Sequence, residues 1–98
     1  MEACCYILYS KQTGKYYIGA CHNNLSERIK KHNLHEYGSH RYTANTNDWE
    51  LYLELPAIDY PHAIRLERLI KSMKSSRYIE NLKKYPELIQ KIFNQTHN

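Results

Sequence analysis

Two short runs near the start of the chain have the pattern of paired strands. Residues 4–10 and 15–21 are rich in tyrosine and aliphatic residues and are separated by KQTG, which ends in Gly14. Glycine readily adopts the left-handed backbone found at the end of tight hairpin loops. The pattern therefore predicts a β-hairpin in which Ser10 pairs with Lys15.

The register of this hairpin decides where its tyrosines point. With the four-residue loop, Tyr6 lies opposite Gly19, and Tyr6 and Tyr17 are diagonal neighbours on one face of the sheet. Ile7 and Ile18 share the other face. A three-residue loop would shift the pairing by one residue and place the two tyrosines on opposite faces.

A short helix is predicted next, over residues 25–33. Asn24 stands at the N-cap position, and Glu27 three residues later gives a pattern like the capping box. Arg28 and His32 are four residues apart, so they are expected to project from the same side of the helix.

The middle of the chain combines a polar segment with a third strand. Residues 34–48 lack apolar periodicity and predict a long loop, which in a compact domain is usually functional or mobile. Residues 49–55 alternate strictly between apolar and polar, which predicts a half-buried strand that Pro56 ends. The alternation predicts one apolar face made of Trp49, Leu51, Leu53 and Leu55.

The last third of the chain has helical spacing. Asp59 is the expected cap of a helix with Pro61 in its first turn. The expected buried stripe of this helix is Ala63, Leu66, Ile70 and Met73. Two shorter helices follow, with breaks at Ser75–Ser76 and near Pro86. The whole order predicts an α+β fold, a small three-stranded antiparallel sheet flanked by helices (β-β-α-β-α-α-α).

Composition and charge narrow the classes of partner. The chain has ten tyrosines but one Phe and one Trp, which suits a surface that contacts polar ligands. A net charge of +4 favours a polyanionic partner. The N-terminus lacks the basic region and apolar run of a signal peptide, and no stretch is long enough to span a membrane. We therefore expect a cytoplasmic protein without a membrane partner, and we favour a monomer.

The cysteines argue against a secreted disulfide scaffold. Cys4, Cys5 and Cys21 are odd in number and include an adjacent pair, so we expect reduced thiols. A zinc site that combines them with His22 is disfavoured. Neighbouring strand residues point to opposite faces, and no Cys-x-x-Cys spacing is present.

Three motifs in a fixed order carry a resemblance to a known family. They are Y-I-G at 17–19, R-x-x-x-H-N at 28–33 and E-x-x-I-K at 67–71. In this order they resemble the GIY-YIG nuclease superfamily, especially its short bacterial single-domain members related to the N-terminal domain of the excision-repair nuclease. The resemblance thus associates the chain with DNA repair. It runs over about 4–82, which makes 83–98 a helical extension of a single 1–98 domain.

The resemblance implies a set of catalytic residues by position. That set is Tyr6, Tyr17, Arg28, His32 and Glu67. The two tyrosines match those of the GIY and YIG elements, although Cys4 and Cys5 stand where the family has Gly and Ile. The missing glycine is backbone scaffolding and the tyrosine is kept, so the set is unaffected. Contacts with DNA are expected from Lys71 and, in the predicted loop, from His40 and Arg41.

The implied reaction is metal-dependent hydrolysis of DNA phosphodiester bonds to 3′-hydroxyl and 5′-phosphate ends. Glu67 would be the sole acidic ligand of one Mg²⁺ or Mn²⁺ ion, which keeps its other positions for water and phosphate. Arg28 would stabilise the phosphate with its planar donor fork. Tyr17 would be the general base, which requires nearby cations because a phenol ordinarily has a pKa of about 10. Tyr6 and His32 would position the water or relay its proton.

Two other classes of function stay open at this point. A non-catalytic DNA- or RNA-binding module could keep the basic surface without turnover. A small interaction protein could instead dock an acidic partner through its basic helices. Plasmid cleavage with and without Mg²⁺ tests the first alternative, and binding that ignores nucleic-acid competitor would indicate the second.

Overall fold

The computed structural model describes residues 3–35, 44 and 46–97, and these form a sheet with helices on both faces. The strands are β1 (Cys4–Ser10), β2 (Lys15–Cys21) and β3 (Glu50–Pro56). The helices are α1 (Leu25–Asn33), α2 (Tyr60–Met73), α3 (Ser76–Lys84) and α4 (Pro86–Thr96). Strand β1 pairs antiparallel with β2 on one side and β3 on the other. The predicted α+β fold and its element order are confirmed.

The β1–β2 hairpin has the predicted register. Ser10 pairs with Lys15, and Tyr6 pairs with Gly19. Gly14 ends the loop with a φ of 68°, and its N–H donates to the Ser10 carbonyl at 2.8 Å. Of the two registers considered, the four-residue loop therefore selects the one that places both candidate tyrosines on the same face.

Strand β3 departs from the predicted alternation at a β-bulge. Ile7 pairs with Leu53, but the next residue, Leu8, pairs with Leu51, so Tyr52 is an extra residue in the ladder. Because the side-chain period of a strand is two, one extra residue reverses the alternation. Trp49 and Leu51, before the bulge, therefore face the side of the sheet opposite to that of Leu53 and Leu55, after it. The prediction of one apolar face is wrong for the set Trp49, Leu51, Leu53 and Leu55.

Each face of the sheet has its own apolar core. The larger core joins β1 and β3 to α2, α3 and α4, and its buried members are Cys5, Ile7, Leu55, Leu66, Ile70, Ile79, Leu82 and Ile92. The smaller core lies on the opposite face, with Leu25 and Ile29 of α1 packed against it. Its buried members are Cys4, Tyr6, Leu8, Cys21 and Trp49. Alternate residues of β1 thus support different cores, and the three cysteines are buried free thiols.

Helix α1 begins without the predicted side-chain cap. Asn24 has left-handed backbone angles (φ 52°, ψ 54°), and its side chain caps no N–H among the described residues. An N-cap side chain normally reaches the first turn from an extended backbone. The capping-box prediction with Glu27 is therefore wrong, whereas the predicted helix span, 25–33, is confirmed.

Helix α2 has the predicted cap and most of the predicted stripe. The Asp59 carboxylate accepts a hydrogen bond from the backbone N–H of His62 at 2.9 Å. Three stripe residues are fully or almost fully buried, namely Ala63, Leu66 and Ile70. Met73, in the last position of the helix, is 45% exposed and does not belong to the buried stripe.

Helix α4 is bonded to the first half of α2. The Nε–H of Arg65 donates to the Thr96 carbonyl at 2.7 Å, and its Nη2 donates to the His97 carbonyl at 3.1 Å. His62 Nε2 and Thr96 Oγ1 are 3.0 Å apart. The two Arg65 bonds occupy carbonyl groups at the end of α4, where the helix itself provides no partner. They therefore hold α2, which carries Glu67, against the larger core.

The hairpin loop is bonded to the segment before β3. The Asp48 carboxylate accepts from Ser10 Oγ at 2.5 Å, from Thr46 Oγ1 at 2.6 Å and from the Gln12 N–H at 3.0 Å. These bonds, led by the one from Ser10, stabilise the charged carboxylate and lower the pKa of Asp48 below its ordinary value. Most of the predicted 34–48 loop lies outside the described residues.

Candidate active site

Tyr6 is the fully buried centre of the candidate site. Its phenol oxygen and Nε2 of His32 share a hydrogen bond of 3.1 Å. The Nε–H of Arg28 donates to the same oxygen at 3.2 Å. One hydroxyl therefore joins β1 to two residues of α1 that are one helical turn apart, as their spacing predicts.

Gly19 provides the room for the ring of Tyr6. A Cβ atom at position 19 would lie 2.6 Å from both Cζ and the hydroxyl oxygen of Tyr6. Non-bonded carbon atoms pack at about 3.5–4.0 Å, so a side chain here would displace the ring. The strand register predicted from the sequence places Gly19 opposite Tyr6, but it did not indicate that Gly19 makes room for the ring. A glycine inside a strand was the available signal, since it often marks a close approach.

Tyr17 lies on the accessible side of the cluster. Its ring centroid is 6.2 Å from that of Tyr6 and 4.9 Å from that of His32. Tyr6 and His32 are fully buried, whereas Tyr17 and Arg28 are only partly buried. Tyr17 and Arg28 are therefore the members of the cluster that a ligand can reach.

Asn33 fixes the end of α1 on the sheet. Its side-chain amide donates to the Trp49 carbonyl at 3.0 Å, and its side-chain oxygen accepts from the Trp49 N–H at 2.7 Å. An amide can supply this donor and acceptor pair in the same way as a backbone unit. Asn33 therefore holds α1 so that Arg28 and His32 lie over Tyr6. Sequence reasoning placed Asn33 in the R-x-x-x-H-N motif without assigning it this function.

A cavity of about 640 Å³ opens beside Arg28 at the start of α1. It is lined by His22, Asn23, Asn24, Glu27, Arg28 and Lys31. Two of these side chains are cationic and one is anionic, and the N-terminal end of a helix adds partial positive charge. The surroundings of Arg28 therefore favour an anionic ligand.

Glu67 and Lys71 lie one turn apart on α2. Lys71 Nζ donates to Glu67 Oε2 at 2.6 Å, and the glutamate side chain is 19% exposed. The adjacent Leu66 and Ile70 pack into the larger core, on the face of the sheet opposite to Tyr6. Helix α2 packs against β2, the edge strand that carries Tyr17. Glu67 is therefore placed beside a sheet edge instead of over the face that holds the tyrosines.

Four of the five predicted catalytic residues are joined directly. Hydrogen bonds and ring contacts connect Tyr6, Tyr17, Arg28 and His32. The hydrogen bond described for the Glu67 carboxylate runs instead to Lys71. The structure thus forms the predicted cluster of tyrosine, arginine and histidine, with the glutamate on a separate helix.

The chemistry of Glu67 fits a hard divalent ion. Its side chain is 19% exposed and ends in a carboxylate, and Mg²⁺ prefers oxygen ligands of this kind. Within the described ranges, no three or more His, Cys, Asp or Glu residues are grouped to hold a metal. An ion at Glu67 would accordingly complete its coordination with water and phosphate oxygens, as Mg²⁺ commonly does.

The other tyrosines of the sheet form a separate cluster. The Tyr16 ring centroid is 4.9 Å from that of Tyr9 and 5.1 Å from that of Tyr52. Tyr16 and Tyr52 pack against the larger core, away from Tyr6. Burial raises the pKa of Tyr16 to about 12, which keeps its phenol neutral. These contacts support a structural role for these three rings.

Two of the predicted DNA contacts cannot be placed. His40 and Arg41 belong to the part of the 34–48 loop that lies outside the described residues. Lys71, the third predicted contact, lies on α2 with 52% of its side chain exposed. It is therefore available to a ligand as well as to Glu67.

Comparison with known proteins gives a family match that covers most of the chain. The family model described as the GIY-YIG catalytic domain matches residues 2–83. This range contains β1 to β3, α1, α2 and nearly all of α3, and it ends before α4. No curated protein and no solved structure matches the chain. In the ranges that the structure describes, none of the helices is both long and apolar enough to cross a membrane.

Proposed function

This chain belongs to the GIY-YIG family, a family of nucleases, and we propose that it is a metal-dependent endonuclease that hydrolyses phosphodiester bonds in DNA. The observation that carries the proposal is the hydrogen bonding of Arg28 and His32 to the Tyr6 hydroxyl, with Tyr17 beside them. This arrangement holds a guanidinium and a phenol together on one accessible surface. Phosphodiester hydrolysis requires groups that bind the phosphate and groups that move a proton.

Arg28 is proposed to bind the scissile phosphate. Its Nε–H donates a hydrogen bond to the Tyr6 oxygen, which orients the planar guanidinium. A pre-oriented fork of donors stabilises the charge that develops on the phosphate oxygens without reorganisation during the reaction. The positive surroundings of the adjacent cavity strengthen this interaction.

Tyr17 is proposed to accept a proton from the attacking water, directly or through a second water. It is the partly exposed phenol of the pair, whereas the Tyr6 phenol is buried and already bonded on two sides. A general base must reach the reacting water, so burial makes Tyr6 unsuitable for this step. Tyr6 and His32 therefore act as positioning residues that fix Arg28.

Glu67 is proposed to hold the metal, with Lys71 as its hydrogen-bond partner. When bound, a divalent ion supplies Lewis-acid stabilisation to the phosphate and the leaving oxygen. Lys71 keeps the carboxylate oriented through its 2.6 Å hydrogen bond and adds positive charge for the DNA backbone.

A plasmid-nicking assay tests the proposal. Supercoiled DNA incubated with the protein should be converted to nicked or linear forms with Mg²⁺ and should stay intact with a chelator. Arg28→Ala should lower this rate by about 100-fold or more, because it removes a pre-oriented charge from the transition state. Arg68→Ala, which removes an exposed arginine of α2, is the matched control and should cleave at the wild-type rate. DNA binding with no cleavage in any divalent ion would instead support the non-catalytic module.

A further inference from the structure

A second basic cavity lies on the face of the sheet that carries the larger core, opposite to Tyr6. Its volume is about 330 Å³, and it lies between the hairpin loop and the α2–α3 junction. Its lining includes three lysines from separate positions, Lys15 at the start of β2, Lys71 in the last turn of α2 and Lys74 just after it. Among the described residues that line this cavity, none is acidic. The lining therefore carries positive charge, and the charge of Lys71 is shared with Glu67.

The lining of this cavity combines charge with hydroxyls and an apolar wall. Ser75 and Ser76 contribute hydroxyl groups at the start of α3, and Ile18, Ile70 and Ile79 form the apolar part. The Ser75 oxygen accepts from the Tyr78 N–H at 3.1 Å, which leaves its own O–H as a donor. Lysines and hydroxyls bind phosphate oxygens, and an apolar wall packs against a sugar or a base.

Lys71 connects this cavity to the proposed metal ligand. Its Nζ lies 2.6 Å from Glu67 Oε2, and the same side chain lines the cavity. A strand that passes Glu67 would therefore lie beside the cavity. The volume is at the lower end of the range for small-molecule sites and suits one nucleotide unit.

Resting on the proposed nuclease function, we propose that this cavity binds a backbone phosphate of the substrate strand next to the phosphate that is cleaved. Lys15 and Lys74 bind the flanking phosphate. Lys71 lies between this phosphate and Glu67. The site orients the strand across α2 towards the edge strand β2. It supplies affinity without taking part in the chemical step.

A substitution at Lys74 can distinguish the effect of its charge on DNA binding from the effect of its backbone conformation on folding stability. Lys74 is in the left-handed conformation (φ 48°, ψ 46°) at the end of α2, a position where glycine is the preferred residue. Lys74→Gly therefore removes the charge and relieves the backbone at the same time. A purely structural lysine would give a variant that is more stable and unaltered in DNA binding. The proposal expects a variant that is more stable and binds DNA more weakly.

The test compares two double variants of equal charge change. Lys15→Gln with Lys74→Gly alters the cavity, and Lys84→Gln with Lys91→Gln alters exposed lysines on α3 and α4 as the control. Binding of a short labelled DNA duplex is followed by fluorescence anisotropy in chelator, over a series of salt concentrations. Loss of the contact with this one phosphate should reduce the slope of log K against log salt by about 0.9 and raise Kd about tenfold. The control pair should keep the wild-type slope.

Steady-state cleavage gives a second readout. The cavity variant should show a raised KM with kcat nearly unchanged, which is the signature of binding lost equally from ground and transition states. Wild-type slope, Kd and KM in the cavity variant would overturn the inference, as would poly-glutamate that competes as well as DNA. With either of these two results, plasmid cleavage by the wild-type protein would still support the nuclease proposal. Failure of the wild type to bind or cleave DNA would overturn both.

Discussion

The hydroxyl oxygen of Tyr6 fills the space that a side chain at Gly19 would need, 2.6 Å from where its Cβ would stand. The two residues are cross-strand partners in β1 and β2, so the hairpin register fixes this close approach. The ring can therefore extend over β2 towards α1, where Arg28 and His32 share its oxygen. The glycine of the YIG motif is thus a condition for the hydrogen-bonded cluster.

Gly19→Ala should abolish most activity by displacing the Tyr6 ring. Overpacking of this kind costs about 1–3 kcal/mol of unfolding free energy, and misplacing the cluster by an ångström should cost about 100-fold in rate. Chemical denaturation and single-turnover cleavage measure the two effects. Gly14→Ala is the control, because its Cβ would meet nothing within 4 Å although its φ is 68°. It should lose about 1 kcal/mol of stability and keep its rate. Normal cleavage by Gly19→Ala would contradict the proposed role of the cluster.

Tyr17→Phe and Tyr6→Phe should separate the proposed base from the positioning residue. Tyr17→Phe should lose about 10²–10⁴-fold in cleavage rate while its DNA affinity and thermal midpoint stay near wild type. Tyr6→Phe should lower activity and also cost about 1–3 kcal/mol of stability, since it removes the hydroxyl that bonds the buried His32 ring and the partly buried Arg28 Nε. Single-turnover rates and urea unfolding of both variants provide the comparison. A Tyr17→Phe protein with a near-normal rate would exclude the base assignment.

Glu67→Ala should abolish metal-dependent cleavage while the fold stays intact. The stripe residues that hold α2 in the larger core lie next to Glu67 and are unchanged by the substitution. Calorimetric titration with Mn²⁺ should show loss of binding, and circular dichroism should show wild-type helix content. Glu80→Ala, at an exposed position of α3, is the control and should keep both metal binding and activity. Retained cleavage in Glu67→Ala would overturn the assignment of the metal ligand.

Protonation of His62 should destabilise the protein below neutral pH. Burial, with smaller contributions from Arg65 and His97, lowers the pKa of His62 below its ordinary value of 6.5. Its Nδ1 accepts from the Ile58 N–H at 3.1 Å, and protonation would remove this acceptor. The unfolded chain therefore binds the proton more readily than the folded chain.

The contribution of neutral His62 to the free energy of unfolding is fully present above a pH of about 6.5. It is lost as the pH falls from there towards the lowered pKa of the folded chain. Urea unfolding from pH 7.5 to 5 should show this loss in the wild type and a smaller one in His62→Gln. His22→Gln removes an exposed histidine and should retain the wild-type pH dependence. Equal pH dependence in His62→Gln and the wild type would exclude His62 as its source.

The family resemblance supplied the members of the tyrosine, arginine and histidine cluster, whereas patterns along the chain predicted the element order, the hairpin register and the shared helix side of Arg28 and His32. These depend on local spacing: a four-residue loop sets which strand residues face each other, and residues four apart share a helix side. Tyr6 and Tyr17 could be placed on one face for this reason, and Arg28 and His32 on one side of α1. The turn at Gly14 and the helix cap at Asp59 likewise involve residues only a few positions apart in the chain.

Which elements meet, and at what distance, depends on the tertiary structure. The bulge at Tyr52 depends on how β3 pairs with β1, and it reverses an alternation that looks regular along the chain. The close approach at Gly19, the anchoring of α1 by Asn33 and the position of Glu67 beside a sheet edge likewise depend on contacts between distant segments. Periodicity fixes the direction of a side chain within its own element, whereas the packing of one element on another fixes what that side chain can touch.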